Sequence, residues 1–165
     1  MGLITVPRFF NELNSMADLD EMLDSVRKID LRLEIPVIIE NTKETILLLN
    51  AGQLYQLNVD GSGNYIKPRY SSIWYERLKM KMNFNLRPDK VDLYYTGEFY
   101  NSRDLLVSKK EYIIFSNDQK STDLLAKYGN KILELTEESE KEYSEGIFIE
   151  NIKLYVETVS ILKFT

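Results

Sequence analysis

VDLYYTGEFYNS, from Val91 to Ser102, joins a strand-like apolar run to a Thr-Gly turn and an aromatic restart. On an alternating strand Leu93 and Tyr95 point one way while Asp92 and Tyr94 point the other, so about half of the aromatic cluster lines a core. The outward members suit an interface, because amphipathic aromatics are enriched at the buried centres of protein contacts. Tyr94, Tyr95, Phe99 and Tyr100 are therefore the candidate interaction residues here, and nothing in the stretch resembles a catalytic group.

Downstream, Asp104 to Ser108 and Glu111 to Ser116 read as two strands with a turn at Lys109 and Lys110, which makes a hairpin. Asn117 and Asp118 end it. Ser121 or Thr122 caps a helix through Leu124, Leu125 and Tyr128, and Gly129 with Asn130 supplies a left-handed stop. Thr136 followed by Glu137, Glu138 and Glu140 opens a long C-terminal helix. Gly146 interrupts it, and the β-branched run from Ile147 to Val159 leaves residues 147–163 open between helix and strand.

Upstream, SSIWYERLKMKM forms a short helix with Ile73, Trp74, Leu78 and Met82 near one side, and Trp74 is expected to pack in the core. The glycine-rich segment Leu57 to Tyr70 reads as a hairpin or tight loop. Pro36 marks a boundary or kink, after which a helix runs from about Pro36 to Gln53. Its isoleucines and leucines occupy most of the circumference, so burial on several sides is expected. Ser15 caps an earlier amphipathic helix carrying Leu19, Met22, Leu23, Val26 and Ile29. Residues 1–15 read as an extended arm anchored by Phe9 and Phe10, further candidate interaction residues. The expectation is an α+β protein, with N-terminal helices and a long C-terminal helix around a small antiparallel sheet or hairpin. Residues 16–165 form one domain, divided into a helical region, 16–53, and a core hairpin region, 54–139.

Composition excludes several kinds of chemistry. The 165 residues contain no histidine and no cysteine, which removes Ser-His-Asp and Cys-His nucleophiles, cysteine/histidine zinc sites and disulfides. Asn58, Asp60, Ser62 and Gly63 imitate the opening of a calcium loop, but Arg69 stands where a bidentate glutamate is needed. Gly61-Ser62-Gly63 lacks the lysine and hydroxyl of a phosphate-binding loop. Glu98, Asp104 and Glu111 lie around the hairpin without a spacing that demands carboxylate catalysis. No catalytic, cofactor or metal site is expected, nor an enzyme. The longest apolar runs fall far short of the roughly 20 residues that cross a bilayer, and the N-terminus lacks a signal peptide's features, so synthesis in the cytoplasm is expected.

Net charge is −5, against general nucleic-acid binding, yet it is unevenly spread. Lys67, Arg69, Arg77, Lys79, Lys81, Arg87 and Lys90 form a basic block, and the glutamates between Glu134 and Glu150 an acidic one. The two can attract each other within or between subunits, although solvated faces are the simpler account of both, since exposed pairs contribute little.

From Gln53 to Ser139 the order QLYQLNVDGSGNYIKPRY, WYERLKMKMN, DLYYTGEFYNS, YIIFSNDQKSTDLLAKYG and ILELTEES resembles structural proteins of tailed bacteriophages, especially those of Bacteroides-type hosts. The lysine-bearing helix, aspartate-leucine strand and Thr-Gly turn are similar to those of neck and tail-completion proteins. The resemblance implies a virion component at the portal, neck or tail junction, made in the host cytoplasm. It would act by docking with portal, neck or tail subunits and in a ring of its own copies, close to DNA without reading it. It transfers no catalytic residue. A small protein-binding module outside the virion, with one exposed apolar patch, is the alternative.

Overall fold

Asp30 accepts a hydrogen bond from the Arg32 amide at 3.1 Å and so starts helix α1, Leu31–Asn41. The structure, a computed structural model, describes Asp24, residues 30–109 and residues 111–162, with side chains as far as Val159. The arm, with Phe9 and Phe10, and the helix expected from Ser15 lie outside the described residues. Pro36 does not begin a helix, as its sequence context suggested, but sits inside α1. Lying just past the first turn, it removes one i→i−4 bond, a loss that the Asp30 cap and burial of Ile38 and Ile39 offset. The break falls at Thr42, whose hydroxyl donates to the Ile38 carbonyl at 2.8 Å, and α2 runs Lys43–Gly52.

A π-helical turn, Gln53–Leu57, extends α2 and ends at Asn58 in the left-handed conformation. The tight loop after it closes through a bridge between Val59 and Tyr65, and Asp60 accepts from the amides of Ser62 and Asn64. Gly61 is required there by close approach: a Cβ at that position would lie 2.4 Å from the Glu134 Cβ. Helix α3, Ile73–Met82, is capped by Ser72. The expected strand at Val91 to Tyr95 is absent. Leu93 adopts φ +54°, which breaks the alternation, and the chain turns at Gly97 into a four-residue helix α4, Glu98–Asn101.

The hairpin forms as β1, Arg103–Val107, paired antiparallel with β2, Tyr112–Ser116, in a register that sets Leu105 opposite Ile114 and Leu106 opposite Ile113. Helix α5, Ser121–Tyr128, stops at Gly129 with φ +82°, and a 3-10 turn follows at Asn130–Leu133. Thr136 caps α6, Glu137–Tyr143, by accepting from the Ser139 amide at 3.2 Å. Gly146 does not stop the helix; a π turn at Ser144–Phe148 carries it into α7, Ile149–Leu162. The chain is thus α+β, mostly helical around one hairpin, with a long C-terminal helix. No helix among the described residues is long and apolar enough to cross a membrane.

Two apolar clusters form the core. Ile39, Ile46, Leu105, Ile114, Leu135 and Tyr143 make the first, joining α1, α2, the hairpin and α6. Leu54, Ile66, Val91, Phe99 and Ile132 make the second, and Leu133 packs against both. The second helix is not buried all round, since Leu48 is exposed where Ile46 is fully covered.

Between the clusters, polar side chains replace apolar packing. The buried Asn50 amide donates to the carbonyls of Ile132 and Glu134 at 3.2 and 3.0 Å, while Gln53 donates to Glu134 at 2.7 Å and accepts from the Thr136 amide at 3.0 Å. One turn of α2 thereby holds the segment between α5 and α6. The buried Arg103 guanidinium donates to the Asn50 side chain and to the Leu47 and Tyr100 carbonyls, and lies 4.8 Å from the Tyr100 ring. Burial pushes its pKa down to about 10, which still leaves it charged at neutral pH.

Candidate docking surface

Helix α3 is packed inside out. Its spacing gives an amphipathic helix, with Ile73, Trp74, Leu78 and Met82 along one side and Glu76, Lys79 and the following Asn83 along another. The polar side is the one that faces inward. Lys79 is 1% exposed, whereas Trp74 is 84% exposed and the nearby Phe84 94%. Ile73, Leu78 and Met82 are exposed as well, so Trp74 does not pack in the core as expected.

The inward side is held by Asp92. Its carboxylate, fully buried, lies 2.9 Å from the Lys79 ammonium. It also accepts from Tyr70 Oη at 2.8 Å, Asn83 Nδ2 at 3.0 Å and the Tyr94 amide at 3.1 Å. Tyr100 donates to the Asp92 carbonyl, and Asn83 donates to the Tyr55 carbonyl at 2.9 Å. The Lys79 ammonium approaches Asp92 without the alignment of a full hydrogen bond and otherwise looks toward the Tyr94 ring, 5.7 Å away. Burial, and then the neighbouring Asp92 charge, raise the Tyr70 phenol far above its usual pKa. It remains a proton donor at any working pH. At the edge of the same face, Glu76 Oε1 accepts from the Asp89 amide at 2.7 Å. These bonds select one rotation of α3, because turning the apolar side inward would carry Lys79 out to solvent and leave the Asp92 carboxylate buried without its cation.

Outside, Trp74, Leu78, Arg77 and Lys81 line an open groove of about 550 Å³. It meets, at Ser72 and Tyr75, a second groove of about 370 Å³ lined by Tyr70, Tyr94, Tyr95, Leu124 and Tyr128. Tyr95 is mostly exposed and Tyr94 is at the margin of exposure. Phe99 is buried, and Tyr100 lies largely inside, donating to the Asp92 carbonyl. The aromatic stretch thus divides between core and surface, but along the chain rather than by alternation.

Within the subunit, no described ion pair joins the basic block to the acidic one. Lys79 pairs with Asp92, and Arg69 with Asp89, both acids from the loops around the basic block itself. Arg77 and Lys81 enter no ion pair among the described residues. Of the hairpin carboxylates, Glu98 pairs with Lys120 at 3.3 Å and Asp104 with Lys43 at 3.2 Å, while Glu111 is exposed. The Leu105 amide and then Lys43 hold the Asp104 pKa below its ordinary value. A second uncovered apolar face lies on the outer side of the hairpin, where Leu106 and Ile113 pair across the strands.

No known family, curated protein or solved structure matches the chain. The surface must therefore be read from its own chemistry. The network behind α3 was not anticipated from sequence, although one local signal exists. Asp92 is a lone acid in an apolar run, and Lys79 stands between Leu78 and Met80, at helical spacing from Glu76 and Asn83.

Proposed function

We propose that this chain is a structural component of a tailed-phage particle at the portal, neck or tail junction, working by ring-like docking of copies rather than by catalysis. The observation that carries the docking half is the inverted helix α3. A monomeric protein seldom leaves a tryptophan, a leucine, an isoleucine and a methionine on one helix face in water, and uncovered apolar patches of this kind mark interaction sites. The separate Leu106–Ile113 face adds support, since two dissimilar faces suit heterologous contacts that close into a ring. The virion setting rests on the likeness of residues from Gln53 to Ser139 to structural proteins of tailed bacteriophages.

Light scattering of the purified full chain over a range of concentrations tests the docking. The expected mass rises from that of one 19.4 kDa chain to a fixed multiple. Trp74→Ala should hold the protein at the single-chain mass while leaving its thermal unfolding within about 0.5 kcal/mol of wild type, as for other surface changes. A wild-type mass that never rises, together with no binding to portal or tail subunits, would sink the reading and favour an adaptor outside the virion.

A further inference from the structure

We infer that the free edge of β2 takes up an extended peptide segment of a partner as a third strand, one that alternates apolar with basic residues. The hairpin ladder fixes which backbone groups are free. The Ser108 amide donates to the Glu111 carbonyl at 2.8 Å and the Asn117 amide to the Ser102 carbonyl at 3.0 Å. With Leu106 opposite Ile113 and Asp104 opposite Phe115, these set the hydrogen-bonded pairs of the ladder. Tyr112 and Ile114 fall between them, so their amides and carbonyls point away from β1. No backbone group elsewhere among the described residues bonds to them. Such an edge templates strand pairing, and proteins ordinarily blunt it with a lysine, a proline or a bulge. Residues 112–115, YIIF, carry none of these.

The edge opens on a groove. Residues 111–114 form one wall of a space of about 610 Å³, and Leu133, Glu134 and Leu135 stand on the other. Four consecutive strand residues line one groove along their backbone, since their side chains alternate between the two faces of the sheet. The far wall is held from behind: Glu134 is extended, at φ −105° and ψ 154°, and its carbonyl accepts from Asn50 and Gln53 on the α2 side. The lining sets the chemistry of the occupant. Ile39, Ile114 and Leu135, all buried, give the groove an apolar floor. Glu111, Glu134 and Glu140 line its rim, exposed and without an ion pair among the described residues, and no described lysine or arginine lines it with them. Glu140 stands near enough to Tyr112 to add to burial in pushing that phenol up to about 12. A strand laid here turns alternate side chains to the floor and to solvent, which suits apolar residues at one set and cations at the other. The β2 edge of a second copy is a poorer occupant, because it would bring the glutamates of two chains together.

Fluorescence anisotropy of the full chain with two labelled synthetic peptides tests this, one alternating valine with lysine and the other valine with glutamate. The lysine peptide should bind saturably and at least about tenfold more tightly. N-methylating every second amide of it should abolish binding in one of the two possible phases, the one that faces β2, because affinity in strand addition comes from main-chain hydrogen bonds. E111K/E140K should reverse the preference between the peptides. Hydrogen exchange of the free chain checks the edge itself: the Tyr112 and Ile114 amides should exchange faster than those of Ile113 and Phe115, and become protected when the lysine peptide binds. Protection without peptide would show the edge already covered, by another part of the chain or by a second copy, and would overturn the assignment. So would equal affinities for the two peptides, no saturable binding of the lysine peptide, a preference unmoved by E111K/E140K, or full binding by the peptides methylated in both phases.

Discussion

Replacing Asp92 with alanine is expected to cost about 3–5 kcal/mol in a denaturant titration, the largest single loss available on this side of the molecule. The change leaves the Lys79 ammonium buried with no carboxylate and strips acceptors from Tyr70, Asn83 and the Tyr94 amide at once. Domains of this size are stable by only about 5–15 kcal/mol, so the variant would lie close to unfolding at ambient temperature. Tyr70→Phe, which removes one donor and leaves the ion pair, should cost about 1 kcal/mol. The double change Lys79→Met with Asp92→Asn should recover part of the loss, because it removes both charges and keeps a side-chain oxygen to accept from the buried donors. If Asp92→Ala unfolds at the wild-type denaturant midpoint, the buried pair does not hold α3.

The second large effect is expected at Asn50. Asn50→Ala takes the one side-chain acceptor from the Arg103 guanidinium, which keeps the Leu47 and Tyr100 carbonyls, and leaves the Ile132 and Glu134 carbonyls with fewer donors in a buried setting. Each orphaned buried group costs about 1–3 kcal/mol, so a total loss above about 2 kcal/mol should appear in the same titration. Gln53→Ala should be milder, since the segment keeps the Asn50 bonds. Equal midpoints for Asn50→Ala and wild type would show that the join between the two clusters is apolar alone, through Leu133 and its neighbours.

Local chemistry made much of the fold legible. The hairpin follows from two short apolar runs around a lysine turn, α5 stops where Gly129 can take a positive φ, and Thr136 caps α6 where its side chain reaches the Ser139 amide. Three features depended on distant partners and were misread. Pro36 is tolerated inside α1 because Asp30 caps the helix earlier and burial of Ile38 and Ile39 holds it. The stretch from Val91 to Tyr95 is no strand because Asp92 turns inward to meet Lys79 and Tyr70, and no neighbouring strand offers it a ladder. The amphipathic pattern of α3 was plain, yet a pattern says only that two faces differ. Which of them faces the core was decided by the acid thirteen residues beyond Lys79, and hydrophobicity alone points the wrong way.

Trp74 is the only tryptophan in the chain, and its indole stands in water on the face that docking would cover. The subunit consequently carries its own optical gauge of assembly. Emission from a lone subunit should resemble that of indole in water and move toward the blue as copies associate, with no dye or tag attached. Spectra unchanged across the concentrations at which mass increases would place the contact elsewhere. Because no second tryptophan contributes, a partial shift converts directly into the fraction of subunits with α3 covered.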